Sequence, residues 1–545
     1  MKNRPYPYYD MPDLHTLCEL IDNGEKAGGD ITVFYTGPDE RPLSFRECAA
    51  GIRAIGAFLS AQGFHGKNIA LLGENSTEWC LCYFGITNSG NVVVPLDRNL
   101  PEDELYELLA GCDCSALFYS EKLKEKVAYC QNRDASLSDI RLFSIQQLDA
   151  IISEGNQCLL NGQPVSETEI TPDTLACIVY TSGTSGKCKG VMLTHGNLTT
   201  DVVATCRCVT ARHAQVFLPL NHAFSWASAM FAAFLYIKDG HISENLHHVI
   251  RDMERNKPQN ISAVPMMVEM IYNGIWNTAR KQGKEKKLKR GIRLSRALMA
   301  IGIDVRRRLF RSIHATFGGQ LETIICGGAA LDEKIQRGLY DIGIQVITGY
   351  GITECSPVVS VNRNHDYRFG SVGRPLPCNR VIIHDPDANG IGEIYVSGSN
   401  VMKGYYKDPE ATAEAFDGEW FKTGDQGRMD KDGFLYITGR KKNLIILSNG
   451  ENVSPEELEQ KLCRFEYVKE VAVYEENRNI TAEFYLDEAS YPDAKERLSA
   501  DVKQFNRKMP SAKNIHHIKV RPVPFEKNTT MKIKRHLLND GEKNR

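Results

Sequence analysis

The chain has 545 residues, of which 42% are apolar and 25% charged. That length allows several structural units, each with an ordinary core, and that composition excludes a wholly disordered chain. With 66 basic against 68 acidic side chains the formal net charge is −2, so no global field draws the protein to nucleic acid.

The opening MKNRPYPYYDMPDL lacks the apolar run of a secretory signal. The longest apolar stretch, Ala223 to Ile237, contains Ser225 and Ser228 and falls short of the ~20 residues that cross a bilayer. Sixteen cysteines are scattered, with CxC pairs at Cys80/Cys82, Cys112/Cys114 and Cys206/Cys208 and no CxxC. This is the pattern of reduced thiols used as small core residues rather than of disulfides or a zinc site, and it predicts a cytoplasmic protein.

In chain order, Ser44 can cap a helix whose Phe45, Cys48, Ile52, Ile55 and Leu59 recur at helical spacing until Gly63. Asn68 to Leu72 reads as a buried strand. Asn75 and Glu78 have capping-box spacing for a second helix. Val92 to Val94 is a further strand, and strand, helix and strand at this spacing predict a parallel βαβ unit. The pattern returns at Leu321–Cys326, Leu331–Tyr340 and Ile344–Ile347, so the large N-terminal part is α/β, a fold class in which ligands collect at the carboxyl ends of strands. Arg280 to Arg311 is rich in Lys and Arg. Leu288, Ile292 and Met299 share one helical face there, interrupted by Ser295, which reads as a solvated helix face with a membrane-surface patch as the alternative. Toward the C-terminus, Val468–Tyr474 and Ile480–Leu486 read as strands, Asp493–Arg507 as a charged helix and His517–Val520 as a strand, which together make a small α+β unit.

The most informative stretch is Tyr180-Thr-Ser-Gly-Thr-Ser-Gly-Lys-Cys-Lys-Gly190, entered from the apolar, strand-like Leu175–Tyr180. The hydroxyls of Thr181, Ser182, Thr184 and Ser185 alternate with Gly183 and Gly186. Glycines let backbone N–H groups turn toward an anion, hydroxyls add donors, and Lys187 and Lys189 add charge. The chemistry is that of a polyphosphate cradle. It is not a Walker A loop, which needs Gly where Thr181 stands and Ser or Thr where Cys188 stands. Nor is it a G-x-S-x-G elbow, since Ser185 is followed directly by Gly186.

TSGTSGKCKGVMLTHGNL resembles the phosphate-binding signature of the adenylate-forming superfamily, which contains acyl-CoA synthetases, luciferases and peptide-synthetase adenylation domains; Cys188 replaces the usual proline. Further stretches resemble that family in the same order along nearly the whole chain. The resemblance implies a large AMP-binding and acyl-binding domain over residues 1–441 and a small mobile domain over 442–545. It implies that His222, in Leu218–Phe224, flanks the acyl-adenylate. Cys326-Gly-Gly-Ala-Ala330 maps to the adenine site, through Gly327, Gly328 and Ala329. In Gly349–Pro357, Tyr350 maps to the residue that stacks on adenine, with Gly351 beside it, Thr353 to a contact on the α-phosphate side and Glu354 to the Mg2+ ligand. A carboxylate beside phosphates suits a hard cation. Asp425, in Trp420–Gly427, maps to the acceptor of both ribose hydroxyls, Arg440 to a ribose or phosphate contact, and Lys442 to the hinge. Gly450 lies in the element that lets the pantetheine arm of coenzyme A pass, and Lys532 maps to the adenylation lysine, with Met531 where glycine is common and Lys527, Lys534 and Arg535 close by.

The implied activity turns a carboxylic acid and ATP into acyl-AMP and pyrophosphate, then passes the acyl group to a thiol. From Gln215 to Ile237 there is no Asp or Glu, so a charged amine would lack a partner there and the pocket should take an uncharged acyl tail. Val264–Gly274 and Gly349–Asn362 resemble fatty acyl-CoA synthetases in particular, which points to a medium- or long-chain fatty acid with ATP, Mg2+ and coenzyme A. A carrier-protein thiol as acceptor, an aryl acid as substrate, and a nucleotide-binding protein without turnover are the alternatives.

Overall fold

The helix Phe45–Ala61 begins where a hydroxyl can close its open end. Ser44 Oγ accepts the Glu47 N–H at 3.2 Å, and the Glu47 carboxylate accepts the Ser44 N–H at 3.0 Å. Two amides that a helix start leaves unpaired are thus satisfied reciprocally. Phe45, Cys48, Ile52, Ile55 and Leu59 are all buried, as their spacing predicts. The computed structural model of the chain describes residues 7–36, 41–182, 188–211, 213–243, 249–446, 452–476, 479–527 and 533–538.

The cap of the next helix differs from the sequence expectation. Thr77–Asn88 is capped by Ser76, whose Oγ accepts the Trp79 N–H at 3.1 Å, and not by Asn75. The Asn75 amide donates to Leu218 O and accepts from Leu220 N, both at 2.9 Å. A carboxamide carries a donor and an acceptor side by side, so it can clamp a passing backbone at two points. The strands Asn68–Leu72 and Val92–Leu96 flank this helix and pair in parallel, which completes the βαβ unit.

The chain divides into two compact units, Met1–Arg380 with Val396–Phe421, and Val381–Tyr395 with Lys422–Arg545. Among the described residues the larger unit holds a seven-stranded and a nine-stranded sheet. In the nine-stranded sheet, Ala214–Val216, Asn260–Ala263, Thr323–Cys326 and Gln345–Gly351 lie side by side and parallel. Parallel neighbours bring their carboxyl ends to one edge. The segments that follow these strands, at Leu218, Val264, Gly327 and Ile352, therefore emerge together although more than a hundred residues separate the first from the last. Beneath the strands Ile261, Ile324, Val346, Leu339, Met253 and Phe310 form one buried cluster. Burial of each such side chain contributes ~1.5–3 kcal/mol, which holds the sheet against its helices.

The basic helix Glu285–Ala300 packs by a polar contact that its sequence pattern does not reveal. Ser295, which breaks the apolar stripe, is 1% exposed and donates to Asp341 O at 2.9 Å, at the end of the helix Glu333–Asp341. The interruption is a docking point, because a hydroxyl can satisfy a helix-end carbonyl that leucine could not. No helix among the described residues is long and apolar enough to cross a membrane.

The smaller unit is α+β, as the sequence predicts. Val468–Glu476, Asn479–Leu486 and His517–Arg521 form a three-stranded sheet. Leu458, Leu462, Val473, Ile480, Phe484 and Leu498 close its core against the helices Pro455–Leu462 and Ala494–Asn506.

In the larger unit, His213 stands at the entrance of Ala214–Val216, and Asp239 at that of its parallel neighbour Gly240–Ile242. His213 Nδ1 lies 2.6 Å from Asp239, and Nε2 lies 2.6 Å from Asn256 O. Both ring nitrogens face acceptors, which favours the doubly protonated ring. The hydrogen bond to Asp239 raises the histidine pKa, against burial, which lowers it. A raised folded-state value means the pH-dependent stabilisation is complete below the ordinary histidine value and is lost as pH rises through the raised one. His213→Gln should lower stability by up to about 1 kcal/mol at pH 5.5. Denaturation series at several pH values should show the gap between wild type and variant narrowing above neutrality; a gap constant from pH 5 to 9 contradicts this role.

Candidate active site

The stretch mapped to phosphate binding is flanked by the two strands of a hairpin. Leu175–Ser182 pairs antiparallel with Cys188–Thr194, placing Thr181 opposite Lys189 and Ser182 opposite Cys188. Thr181 Oγ1 lies 3.5 Å from Lys189 O. Gly183, Thr184, Ser185, Gly186 and Lys187 lie outside the described residues. Both arms that flank them, Leu175–Ser182 and Cys188–Thr194, are anchored in the seven-stranded sheet.

Gly327, Gly328 and Ala329 follow Thr323–Cys326 directly. Gly327 N donates to Ala263 O at 3.3 Å, across to the neighbouring parallel strand. Gly328 stands at φ +89°, a conformation in which a side chain is strained. A Cβ on Gly327 would lie 3.5 Å from the Phe224 ring, so the segment mapped to adenine adjoins the segment mapped to the acyl group.

Tyr350 and Gly351 end the strand Gln345–Gly351 and pair back onto Val358–Val361. Tyr350 is 8% exposed. Gly351 has a reason of its own to lack a side chain, since a Cβ there would meet Pro357 O at 2.3 Å. Thr353, Glu354 and Cys355 form one short turn between these strands. Sequence reasoning missed what fixes that turn. Asn400 Nδ2 donates to Cys355 O at 2.9 Å, to Val358 O at 3.0 Å and to Asp201 Oδ1 at 3.0 Å. Asp201 Oδ1 also accepts the Val358 N–H at 2.9 Å, and Ser356 Oγ donates to Asn400 O at 2.8 Å. Asp201 and Asn400 are fully buried. Burial pushes the Asp201 carboxyl well above the usual carboxylate range.

Glu354 is gripped through both its backbone and its side chain. Its carbonyl accepts the Met402 N–H at 2.8 Å, and its Oε1 accepts the Tyr405 hydroxyl at 3.0 Å. Lys189 Nζ lies 4.7 Å from the centroid of the same tyrosine ring. The structure therefore unites Lys189 of the hairpin with Glu354 of the strand-end turn, through a tyrosine that nothing in Lys403-Gly-Tyr-Tyr406 marks out. Among the described residues no three His, Cys, Asp or Glu side chains assemble as a metal cage. A single hard-oxygen carboxylate beside a phosphate loop fits Mg2+ carried in on a nucleotide, which needs only one or two protein carboxylates.

His222 precedes the turn Ala223–Ser225, and its Nε2 lies 4.0 Å from the buried Asp97. The clamp of Asn75 on Leu218 and Leu220 fixes the approach to it. The apolar run continues as the wide-turn helix Trp226–Phe231, with Trp226 and Phe231 completely buried. Trp226 and Phe231 therefore serve the core, whereas Phe224, Ala229 and Met267 are only partly buried along this wall. On the adjoining helix Pro265–Lys281, burial and then Asp332 push the Glu269 carboxyl up to about 7, a sign of apolar surroundings.

In the smaller unit, Asp425 and Arg440 stand opposite one another on Trp420–Met429 and Leu435–Arg440, with Arg440 Nε 2.9 Å from Asp425 Oδ1. Asp425 is buried and Arg440 half-exposed. Lys442 follows in the turn Lys441–Asn443, where burial and then the Arg440 charge lower its pKa. Gly450 and Lys532 lie outside the described residues. Two cations near Lys532 are committed elsewhere, Lys527 to Glu470 at 2.7 Å and Arg535 to both oxygens of Glu459 at 2.7 and 2.6 Å.

Residues 22–406 match the family described as AMP-binding enzyme, and residues 442–539 match the AMP-binding enzyme C-terminal domain. The long-chain-fatty-acid–CoA ligase FadD15 of Mycobacterium tuberculosis is 28% identical over 546 residues, covering 90% of this chain and 89% of that protein. The human long-chain-fatty-acid–CoA ligase 1 is 27% identical over 516 residues, covering 86% of this chain and 73% of its own. The fold matches ATP-bound MatB from Rhodopseudomonas palustris with a TM-score of 0.76 at 22% identity, over 97% of this chain and 99% of that one.

Replacing Asn400 by Leu removes its donor from Cys355 O and from Asp201 Oδ1, and leaves Val358 O with the Asn379 Nδ2 bond at 3.2 Å. Chemical denaturation should show a loss of about 2–4 kcal/mol. A loss below about 0.5 kcal/mol would mean that these bonds do not hold the Glu354 turn.

Proposed function

The chain belongs to the AMP-binding enzyme family, and from that membership we propose that it activates a medium- or long-chain fatty acid with ATP and transfers the acyl group to coenzyme A. The observation that carries the reading is the meeting of Lys189 and Glu354 through Tyr405, in the unit whose four adjacent parallel strands lead into the segments at Leu218, Val264, Gly327 and Ile352. Relatives named as long-chain fatty acid ligases over most of the chain support the choice of acid. So does the absence of any Asp or Glu from Gln215 to Ile237.

A carboxylate is a poor acyl donor because oxide is a poor leaving group. In the first step its oxygen attacks the α-phosphorus of ATP, and the bond to pyrophosphate breaks. In the second a thiolate attacks the acyl carbon of the mixed anhydride, and AMP leaves. No protein nucleophile is needed, so the residues act by position and charge. The hydroxyls and Lys189 of the hairpin face the phosphates, and Tyr350 and Gly327–Ala329 hold the base. Asp425 and Arg440 receive the ribose as a pair, and His222 borders the new anhydride. Mg2+ bound at Glu354 supplies offsetting charge on the phosphate oxygens. Lys532 serves the first step, Gly450 lines the thiol path of the second, and rotation about Lys442 exchanges them.

Lys532→Ala should slow adenylate formation, read as acid-dependent pyrophosphate exchange, by about 10²-fold or more. It should spare thioester formation from supplied acyl-AMP. Equal damage to both half-reactions contradicts the division of labour. A panel of acids from acetate to palmitate with ATP and coenzyme A tests the substrate. Turnover with a fatty acid and carrier-protein thiol but not with coenzyme A would replace the acceptor named here.

The reading extends to a reducing cytoplasm and to the membrane surface. All sixteen cysteines are free thiols, which supports the first. For the second, residues 280–311 carry thirteen Lys and Arg against Glu285 and Asp304. Amid them Leu294, Ile301, Ile303 and Leu309 are 52%, 70%, 48% and 41% exposed. Apolar side chains set among cations suit an anionic bilayer, whose interface takes the first and whose headgroups pair with the second. Co-sedimentation with vesicles should rise with anionic lipid and fall in the double variant Leu294→Glu, Ile301→Glu. Binding indifferent to both contradicts a membrane contact here.

A further inference from the structure

Three segments distant in sequence meet at one phenol. The short strand Gly404–Tyr405 adds to the outer edge of Cys188–Thr194, with Tyr405 opposite Val191 and Gly404 opposite Met192. Lys403 N donates to Met192 O at 3.0 Å and Tyr406 N to Gly190 O at 2.7 Å, so the tyrosine is bound into the returning arm of the phosphate hairpin. Its own N–H donates to Thr412 Oγ1 at 2.9 Å. The side chain is fixed as firmly. Tyr405 is 8% exposed, its hydroxyl donates to Glu354 Oε1 at 3.0 Å, and its ring face carries the Lys189 ammonium at 4.7 Å. The backbone of Glu354 is held from the same segment, by Met402 N at 2.8 Å.

We propose that Tyr405 is a positioning residue for adenylation: it holds the Glu354 carboxylate and the Lys189 ammonium at a set separation, so that the cation ligand and the phosphate hairpin are presented to the nucleotide as one unit. The inference rests on the reading of Glu354 as the Mg2+ ligand and of the hairpin as the phosphate site. A carboxylate has about four lone-pair positions, so accepting one phenol hydrogen leaves it able to bind a cation while its direction is fixed. The ring face attracts the lysine ammonium through its quadrupole, which restrains an otherwise freely rotating chain. The two functions of the tyrosine lie on different atoms and are separable. Phenylalanine keeps the ring face for Lys189 and removes the hydrogen bond to Glu354; leucine removes both.

The test uses the full-length protein, with ATP binding followed by calorimetry in MgCl2 and in EDTA, and acid-dependent pyrophosphate exchange followed across a MgCl2 titration. Tyr405→Phe should raise the half-saturating MgCl2 concentration about three- to tenfold. It should leave ATP affinity in EDTA at the wild-type value and restore exchange at high MgCl2. Tyr405→Leu should weaken ATP binding in EDTA as well. If Tyr405→Leu does not fold, judged by its melting transition, the phenylalanine variant still decides the matter. A wild-type MgCl2 dependence in Tyr405→Phe overturns the proposal, and so does an equal loss of ATP affinity in MgCl2 and EDTA, which would mark a structural role only. Wild-type protein that binds ATP no better in MgCl2 than in EDTA overturns the reading of Glu354, and the proposal with it. Wild-type protein that binds MgATP but catalyses no exchange with any acid overturns the proposed reaction alone.

Discussion

A buried carboxyl, Asp201, and a buried carboxamide, Asn400, hold the turn on which the candidate site depends. Between them they make four hydrogen bonds of 2.9–3.0 Å, one to each other and three to the backbone of Cys355 and Val358. Such groups are costly to bury unless they are paired, so the pairing and the fold of the turn stand or fall together. Glu354 sits in that turn. Its direction, and through Tyr405 the direction of Lys189, follow from bonds made behind it by side chains from a helix and a loop far away in sequence.

The sheet supplies the second constraint. Four adjacent parallel strands can deliver four loops to one edge only because their crossovers are covered by helices with buried apolar faces. The strands themselves are short, four residues in Asn260–Ala263 and in Thr323–Cys326. Short strands place successive loops close to the same height. That geometry lets the Gly327 backbone and the Phe224 ring adjoin, and it makes their proximity a product of topology rather than of any one motif.

Polar side chains recur as fasteners where the apolar pattern breaks. Ser295 interrupts a hydrophobic stripe and docks on a helix end, and Asn75 clamps the approach to His222 instead of capping its helix. In each case one hydrogen-bonding side chain does what added apolar area could not, since apolar burial has no direction and a hydrogen bond does. A reading by periodicity registers these residues as faults, because periodicity records which face is buried and not what the buried face must satisfy.

Periodicity, caps and glycine-rich spacing were sufficient for the α/β class, the βαβ unit at Asn68–Leu96, the α+β character of the C-terminal part and the strand at Leu175–Tyr180, though not for the returning strand Cys188–Thr194. These are local properties, governed by alternation, helical repeat and the conformational freedom of nearby residues. The motifs around Gly327, Glu354 and Asp425 could be named from the chain alone for the same reason, since each is contiguous. Tyr405, Asn400, Asp201 and Asp97 could not, because each acts on a partner between roughly fifty and two hundred residues away and nothing beside it in the chain records that partner. Their roles came into being only when the strands paired and buried polar groups such as the Asn400 amide met acceptors brought from distant parts of the chain.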